Sequence, residues 1–106
     1  MNITTDNKAL KELLETGKTT DKVLRKLPKG VVEGFIKAVG IMKRVERIEG
    51  LYLYRGLNYE KLTNIGIESV RCNGKYRLIF KSSPDEGKII ITNIELFEIT
   101  NHYGKI

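Results

Sequence analysis

The stretch Ile67-Glu68-Ser69-Val70-Arg71-Cys72-Asn73-Gly74-Lys75-Tyr76-Arg77-Leu78-Ile79-Phe80-Lys81 decides the fold. Two runs rich in β-branched and aromatic residues flank Asn73-Gly74. That pair suits a type I′ turn, which needs positive φ at both central positions. The reading is an antiparallel hairpin. A two-residue turn at Asn73-Gly74 pairs Cys72 with Lys75, Arg71 with Tyr76 and Val70 with Arg77, and paired residues share a face. One face then carries Ile67, Ser69, Arg71, Tyr76, Leu78 and Phe80 and is expected to meet the core. The other carries Glu68, Val70, Cys72, Lys75, Arg77, Ile79 and Lys81 and is mixed and basic. An antiparallel sheet can leave such a face in water, so Arg77 is expected on an open surface framed by Lys75 and Lys81. A bulged turn would shift the register by one and turn Arg77 inward. It is disfavoured because it would expose Leu78 and Phe80.

Downstream, Lys88 to Ile99 reads as a further strand after a turn at Ser82 to Gly87 that contains Pro84-Asp85. Upstream the signal is helical. Leu10, Leu13 and Leu14 recur at helical spacing between Asn7 and Thr16, with Asp6 as expected N-cap and Gly17 as stop. Asp21 to Leu27 forms a second helical piece, interrupted by Pro28. Pro28 suits the first turn of a longer helix, where its missing N–H is not needed. Val31, Val32, Phe35, Ile36, Val39 and Met42 form the apolar stripe of that helix. Gly30, Gly34 and Gly40 weaken it by roughly 1 kcal/mol each against alanine, a loss that packing must offset. Val45 to Glu49 reads as another helical turn ended by Gly50, and Asn2 to Thr5 as a short edge strand. Helices first and strands after are the order of an α+β domain, with N-terminal helices packed on a twisted antiparallel sheet.

The totals agree with one folded unit over residues 1–106. At 106 residues the chain has the length of one domain, long enough to bury one core without staples. A 41% hydrophobic and 30% charged composition is that of a folded protein. One cysteine, Cys72, excludes an internal disulfide and a multi-cysteine zinc site, and fits a reducing compartment. Met1 to Thr16 carries charges throughout and lacks an apolar signal region, so a cytoplasmic protein with no membrane association is expected. Nineteen Lys and Arg against thirteen Asp and Glu leave a formal net charge of +6. That field attracts polyanions, although a solvated surface or one shaped for an acidic protein would look the same.

Phosphate loops, H-E-x-x-H, G-x-S-x-G and EF-hand patterns are absent from the sequence. With one histidine and one cysteine, no His- or Cys-built metal site and no cofactor are expected. The residues able to carry chemistry lie on the hairpin and after the last strand. Arg71 and Arg77 sit on neighbouring strands with Lys75 between them, and rigidly held guanidinium groups suit bidentate contacts to phosphate. The last strand runs into Asn101-His102-Tyr103. Histidine ordinarily titrates near neutral pH, and a tyrosine ring offers a face on which a base can stack. A histidine, a tyrosine and two arginines around one phosphodiester suffice for ribonuclease chemistry. One group takes the 2′-OH proton, another protonates the 5′ leaving oxygen, and the cations stabilise the phosphorane. The same residues admit a plainer reading. Arg71 and Arg77 could be solvated strand residues beside Glu68 or Glu98, His102 a structural or idle residue, Tyr103 a lid on the core and Cys72 simple packing.

Four segments taken together resemble a known family. They are Leu57-Asn58-Tyr59-Glu60-Lys61-Leu62, Glu68-Ser69-Val70-Arg71-Cys72-Asn73, Lys75-Tyr76-Arg77-Leu78-Ile79-Phe80 and Glu98-Ile99-Thr100-Asn101-His102-Tyr103. With Lys8-Ala9-Leu10-Lys11-Glu12-Leu13 before them, they resemble the HigB-like branch of the RelE/ParE toxin superfamily, in order and over nearly the whole chain. The resemblance implies a toxin of a type II toxin-antitoxin system. Such an mRNA interferase is a ribosome-dependent endoribonuclease that blocks translation by metal-independent 2′-OH attack on mRNA. It further implies a cognate helix-turn-helix antitoxin as partner, and binding of operator DNA by the pair. By position, Arg77, His102 and Tyr103 match the catalytic residues, and Lys61, Arg71 and Lys75 are the expected RNA-binding residues. Some relatives end in the order aspartate, tyrosine, histidine and carry a histidine where this chain reads Tyr59-Glu60-Lys61-Leu62, so the identity of the base stays open, with Glu60 a further candidate. The superfamily also contains gyrase-poisoning ParE proteins and inactive antitoxin-binding relatives, and a shared fold alone does not separate them.

Overall fold

A computed structural model describes residues 1–102. Five strands and three helices follow in the order β1 (Asn2–Thr5), α1 (Lys8–Thr16), α2 (Lys22–Arg25), α3 (Val31–Arg44), β2 (Glu60–Leu62), β3 (Ile67–Asn73), β4 (Tyr76–Pro84) and β5 (Ile91–Thr100). Two 3₁₀ turns, Ile48–Leu53 and Arg55–Leu57, link α3 to β2. The strands form one sheet in the order β1-β5-β4-β3-β2. The α+β class expected from the sequence is the one observed.

The sheet is mixed rather than wholly antiparallel. β1 pairs in parallel with β5, Asn2 opposite Asn93 and Thr5 opposite Leu96, whereas every other pair is antiparallel. Local patterning could not reveal this, because β1 reaches β5 only through the helices and three further strands. Asn7 rather than Asp6 caps α1, its Oδ1 accepting from the Ala9 and Leu10 amides at 3.0 and 3.1 Å. Gly17 ends that helix as expected, with φ of 73° and its amide bonded to the Leu13 carbonyl. Pro28 lies outside α3, which begins at Val31 after Gly30. The expected turn at Val45 to Glu49 is displaced to the 3₁₀ turn Ile48–Leu53, which contains Gly50. β4 runs on through Pro84, and Lys88 to Ile90 belong to the loop before β5.

Leu10, Leu13, Phe35, Ala38, Val39, Ile41 and Met42 from the helices meet Val70, Leu78, Phe80, Ile94 and Leu96 from the sheet in one core. Ile36, expected in the apolar stripe of α3, is 43% exposed, and Ala38 and Ile41 complete the buried face instead. Gly34 of α3 has a packing reason. A Cβ on Gly34 would stand 1.8 Å from the Cys72 carbonyl oxygen, so helix and strand touch backbone to backbone there. The weak helix propensity of glycine is the cost of that approach.

The hairpin register differs from the expectation, and the difference inverts β3. Arg71 pairs with Arg77, Val70 with Leu78, Ser69 with Ile79 and Glu68 with Phe80. Asn73 pairs with Tyr76 around a Gly74-Lys75 turn, and Cys72 is the extra residue between the two ladders. Gly74 takes φ of 55°, the left-handed conformation that glycine adopts without strain. The Asn73 side chain is occupied elsewhere, donating from Nδ2 to the Lys29 carbonyl at 3.0 Å and tying the hairpin to the approach to α3. Glu68 and Val70 therefore lie on the core side with Leu78 and Phe80, while Ser69, Arg71, Arg77, Ile79 and Lys81 share the outer face. The bulge moved β3 and left β4 in place.

Candidate functional site

The outer face is organised around Arg77. Its Nε donates to the Ser69 hydroxyl at 2.7 Å, and its Nη2 donates to the Asn58 carbonyl. The guanidinium thus crosses from β4 over β3 to the segment preceding β2. Arg77 is half-buried rather than standing free in water as expected. Ser69 beneath it is fully buried, so its hydroxyl is a fixed acceptor. Asn58, the other anchor, has φ of 47° and is the sole non-glycine residue with positive φ among the described residues. Asparagine tolerates that conformation better than most side chains.

Asn58 is itself held by its neighbour. Tyr59 is buried, and its hydroxyl donates to Glu68 Oε1 at 2.5 Å. The Glu68 carboxylate is also buried, and its Oε2 accepts from the Ser82 amide at 2.7 Å and the Ser82 hydroxyl at 2.6 Å. Burial, and next the Glu68 carboxylate, raise the Tyr59 phenol well above its ordinary range. It remains a donor at any working pH. The Tyr59 ring stacks on Phe80 with centroids 6.1 Å apart. A chain of fixed contacts therefore runs from β4 through Glu68 and Tyr59 to the carbonyl that orients Arg77.

The last strand reaches the same place. Thr100 is the Cα partner of Arg77 across β4 and β5, so the two share the outer face. The Thr100 hydroxyl accepts from the His102 amide at 3.0 Å, turning the chain just past the strand, and His102 is exposed. Pairing thus brings His102 to within two residues of Arg77's partner. Tyr103, expected beside it, lies outside the described residues. Across the same face, Glu60 pairs with Ser69 and Glu98 with Ile79, which sets two exposed carboxylates near the arginine row.

The other expected residues are dispersed. Arg71 lies directly opposite Arg77, an arrangement of like charges that strand pairs ordinarily avoid. Lys75 is exposed in the turn, and Lys61 is exposed on β2 opposite Glu68. Lys81 does not frame Arg77. It pairs with Glu95, and its ammonium lies 5.9 Å from the Phe97 ring centroid. Cys72 sits at the bulge, where burial pushes its thiol up to about 12, partly offset by the Arg77 guanidinium. That is the setting of a packed residue, not of a nucleophile. Reading the sequence missed Ser69 and Asn58 as the groups that hold Arg77. The signal for Asn58 was present, an asparagine in a loop just ahead of a short strand.

Among the described residues, no group of three His, Cys, Asp or Glu is placed to hold a metal ion, and no helix is long and apolar enough to cross a membrane. The fold and face define a small basic α+β domain with an oriented arginine at the end of its sheet. No protein-family model matches the chain, no curated protein matches it, and no solved structure matches it.

Proposed function

We propose that this chain is the toxin of a type II toxin-antitoxin system, an endoribonuclease that cleaves mRNA on the ribosome. The observation that supports the reading best is Arg77, held by Ser69 and Asn58 and paired directly with Thr100, whose hydroxyl accepts from the His102 amide just past the end of β5. A cation so fixed suits a scissile phosphate, because it needs no reorganisation as charge builds on the phosphorane. His102 and Tyr103 supply the proton-transfer groups, one taking the 2′-OH proton and the other protonating the 5′ leaving oxygen. Arg71 and Lys75 hold the backbone, whereas Lys61, paired with Glu68, faces the other side of the sheet, and the net charge of +6 draws the strand in. A cognate helix-turn-helix antitoxin neutralises the chain, and the pair binds operator DNA. The resemblance of the Ser69-Val70-Arg71, Tyr76-Arg77-Leu78-Ile79-Phe80 and His102-Tyr103 segments to HigB-like toxins supports the same reading.

Mapping RNA 5′ ends after induction tests it. New ends inside translated messages are expected with the wild-type chain and not with Arg77→Ala. Intact messages beside broken DNA would replace this reading with gyrase inhibition, and unimpaired growth would replace it with a module that only binds its antitoxin.

A further inference from the structure

Beyond the edge where β2 stops pairing with β3, a cavity of ≈ 350 Å³ opens between α3, the 3₁₀ turn Arg55–Leu57 and the end of β3. Gly34, Ile41, Leu57 and Cys72 contribute to its walls, and Lys37, Arg55 and Arg71 bring three cations to it with no carboxylate in the lining. Tyr54 lines it as well and is 40% exposed. Three cations around one hollow repel one another unless an anion joins them. Arg71 links the hollow to the outer face, since it is the direct partner of Arg77.

We propose that this cavity is a second subsite for the RNA strand, taking backbone phosphate on Lys37, Arg55 and Arg71 and one base against Tyr54. The inference rests on the reading of the outer face as the cleavage site and extends it. A strand lying over Arg77 passes the edge of β3 at Arg71 and continues into the hollow, so the nucleotides beside the scissile bond are held on the helix side. An acidic protein segment would satisfy the cations equally well. The exposed tyrosine among them favours a nucleotide, because a stacked base and its phosphate present both features together.

The test separates binding from cleavage by using a fluorescent 2′-O-methyl oligouridylate, which lacks the attacking hydroxyl, titrated against the whole chain over a salt series. The double variant Lys37→Gln/Arg55→Gln is expected to lower the slope of log K against log salt by about 1.4, at about 0.7 per phosphate contact on a single strand. Tyr54→Ala is expected to weaken binding roughly tenfold while leaving that slope unchanged. Circular dichroism melts confirm that each variant is folded. An unchanged slope and affinity in the double variant overturns the subsite, as does a wild-type chain that fails to bind the probe at low salt. A labelled oligoglutamate that binds more tightly than the RNA, and alone depends on Lys37 and Arg55, assigns the hollow to an acidic protein instead. Messages cleaved in an Arg77-dependent way with unaltered binding in the double variant sink this inference alone. Weakened binding in the double variant with intact messages in wild-type cells sinks the ribonuclease reading alone.

Discussion

Arg77 and Ser69 are locked together on the outer face of the sheet, the guanidinium Nε donating to a fully buried hydroxyl at 2.7 Å. They lie on different strands and are not direct partners, so the bond fixes the guanidinium diagonally across β3 and aims it at Asn58. The charge is supplied by Arg77 and its direction by Ser69.

Charge and direction are separable by mutation. Arg77→Ala is expected to lower the cleavage rate by about 10²–10³-fold, the usual loss for one preorganised donor to a developing oxyanion. Ser69→Ala keeps the charge and loosens its aim, so a smaller fall in kcat with little change in KM is expected. Single-turnover cleavage of a message on purified ribosomes measures both. Equal rates for Ser69→Ala and wild type would show that Asn58 alone suffices to hold the arginine.

The buried Tyr59–Glu68–Ser82 network should weigh on stability. Glu68→Ala strands the buried Tyr59 hydroxyl and the half-buried Ser82 amide and hydroxyl; a buried group left unpaired costs about 1–3 kcal/mol, and one that water reaches costs less. Urea unfolding is expected to show a clearly lower midpoint with an unchanged slope. Tyr59→Phe leaves only one Glu68 oxygen unpaired and should lose less. A midpoint for Glu68→Ala within error of wild type would mean that water replaces all three bonds.

Legibility in the sequence divided along a physical line. Most of the helix faces, the Gly17 stop and the presence of a hairpin were readable because each depends on residues close together in the chain, although the turn falls at Gly74-Lys75 rather than Asn73-Gly74 and Ile36 lies outside the buried stripe. The face of β3 was not readable. It turns on the Cys72 bulge, which reflects backbone contact between Cys72 and Gly34 and the Asn73 bond to Lys29, partners far upstream in the chain. The parallel pairing of β1 with β5 was hidden for the same reason. Arg77 was singled out through its strand and its resemblance, whereas Ser69 and Asn58, which orient it, became recognisable only once the register was known.

Paired glycine replacements in α3 test the close approach of helix and strand. Gly34→Ala would normally gain roughly 1 kcal/mol of helix propensity, but its Cβ would lie 1.8 Å from the Cys72 carbonyl oxygen. Forcing the helix off the sheet costs about 1–3 kcal/mol or more, as overpacking does elsewhere. At Gly40 the nearest atom to such a Cβ is Arg44 Nη1, 3.6 Å away, so Gly40→Ala is expected to stabilise. Thermal melts should therefore move in opposite directions. Two upward shifts would show that β3 can retreat from the helix without loss.

Cys72 sets an alkaline limit on stability. In the unfolded chain a thiol titrates near its ordinary value of about 8.5, whereas burial in the folded chain raises Cys72 to about 12. The folded protein holds that proton more tightly, so raising the pH favours the unfolded state, which releases it. The contribution is fully present below about pH 8, declines as the pH rises through the unfolded thiol's range, and is lost once the folded thiol itself ionises near 12. Tyr59, raised in the same direction, adds a loss of the same sign at higher pH. Guanidinium midpoints at neutral and alkaline pH should fall further for the wild type than for Cys72→Ala, which keeps the tyrosine and lacks the thiol, so the difference isolates Cys72. Slow reaction of the native protein with a disulfide reagent near pH 8, accelerating on unfolding, is the companion result. Parallel pH profiles for the two proteins would mean that the bulge opens often enough to let solvent reach the sulfur.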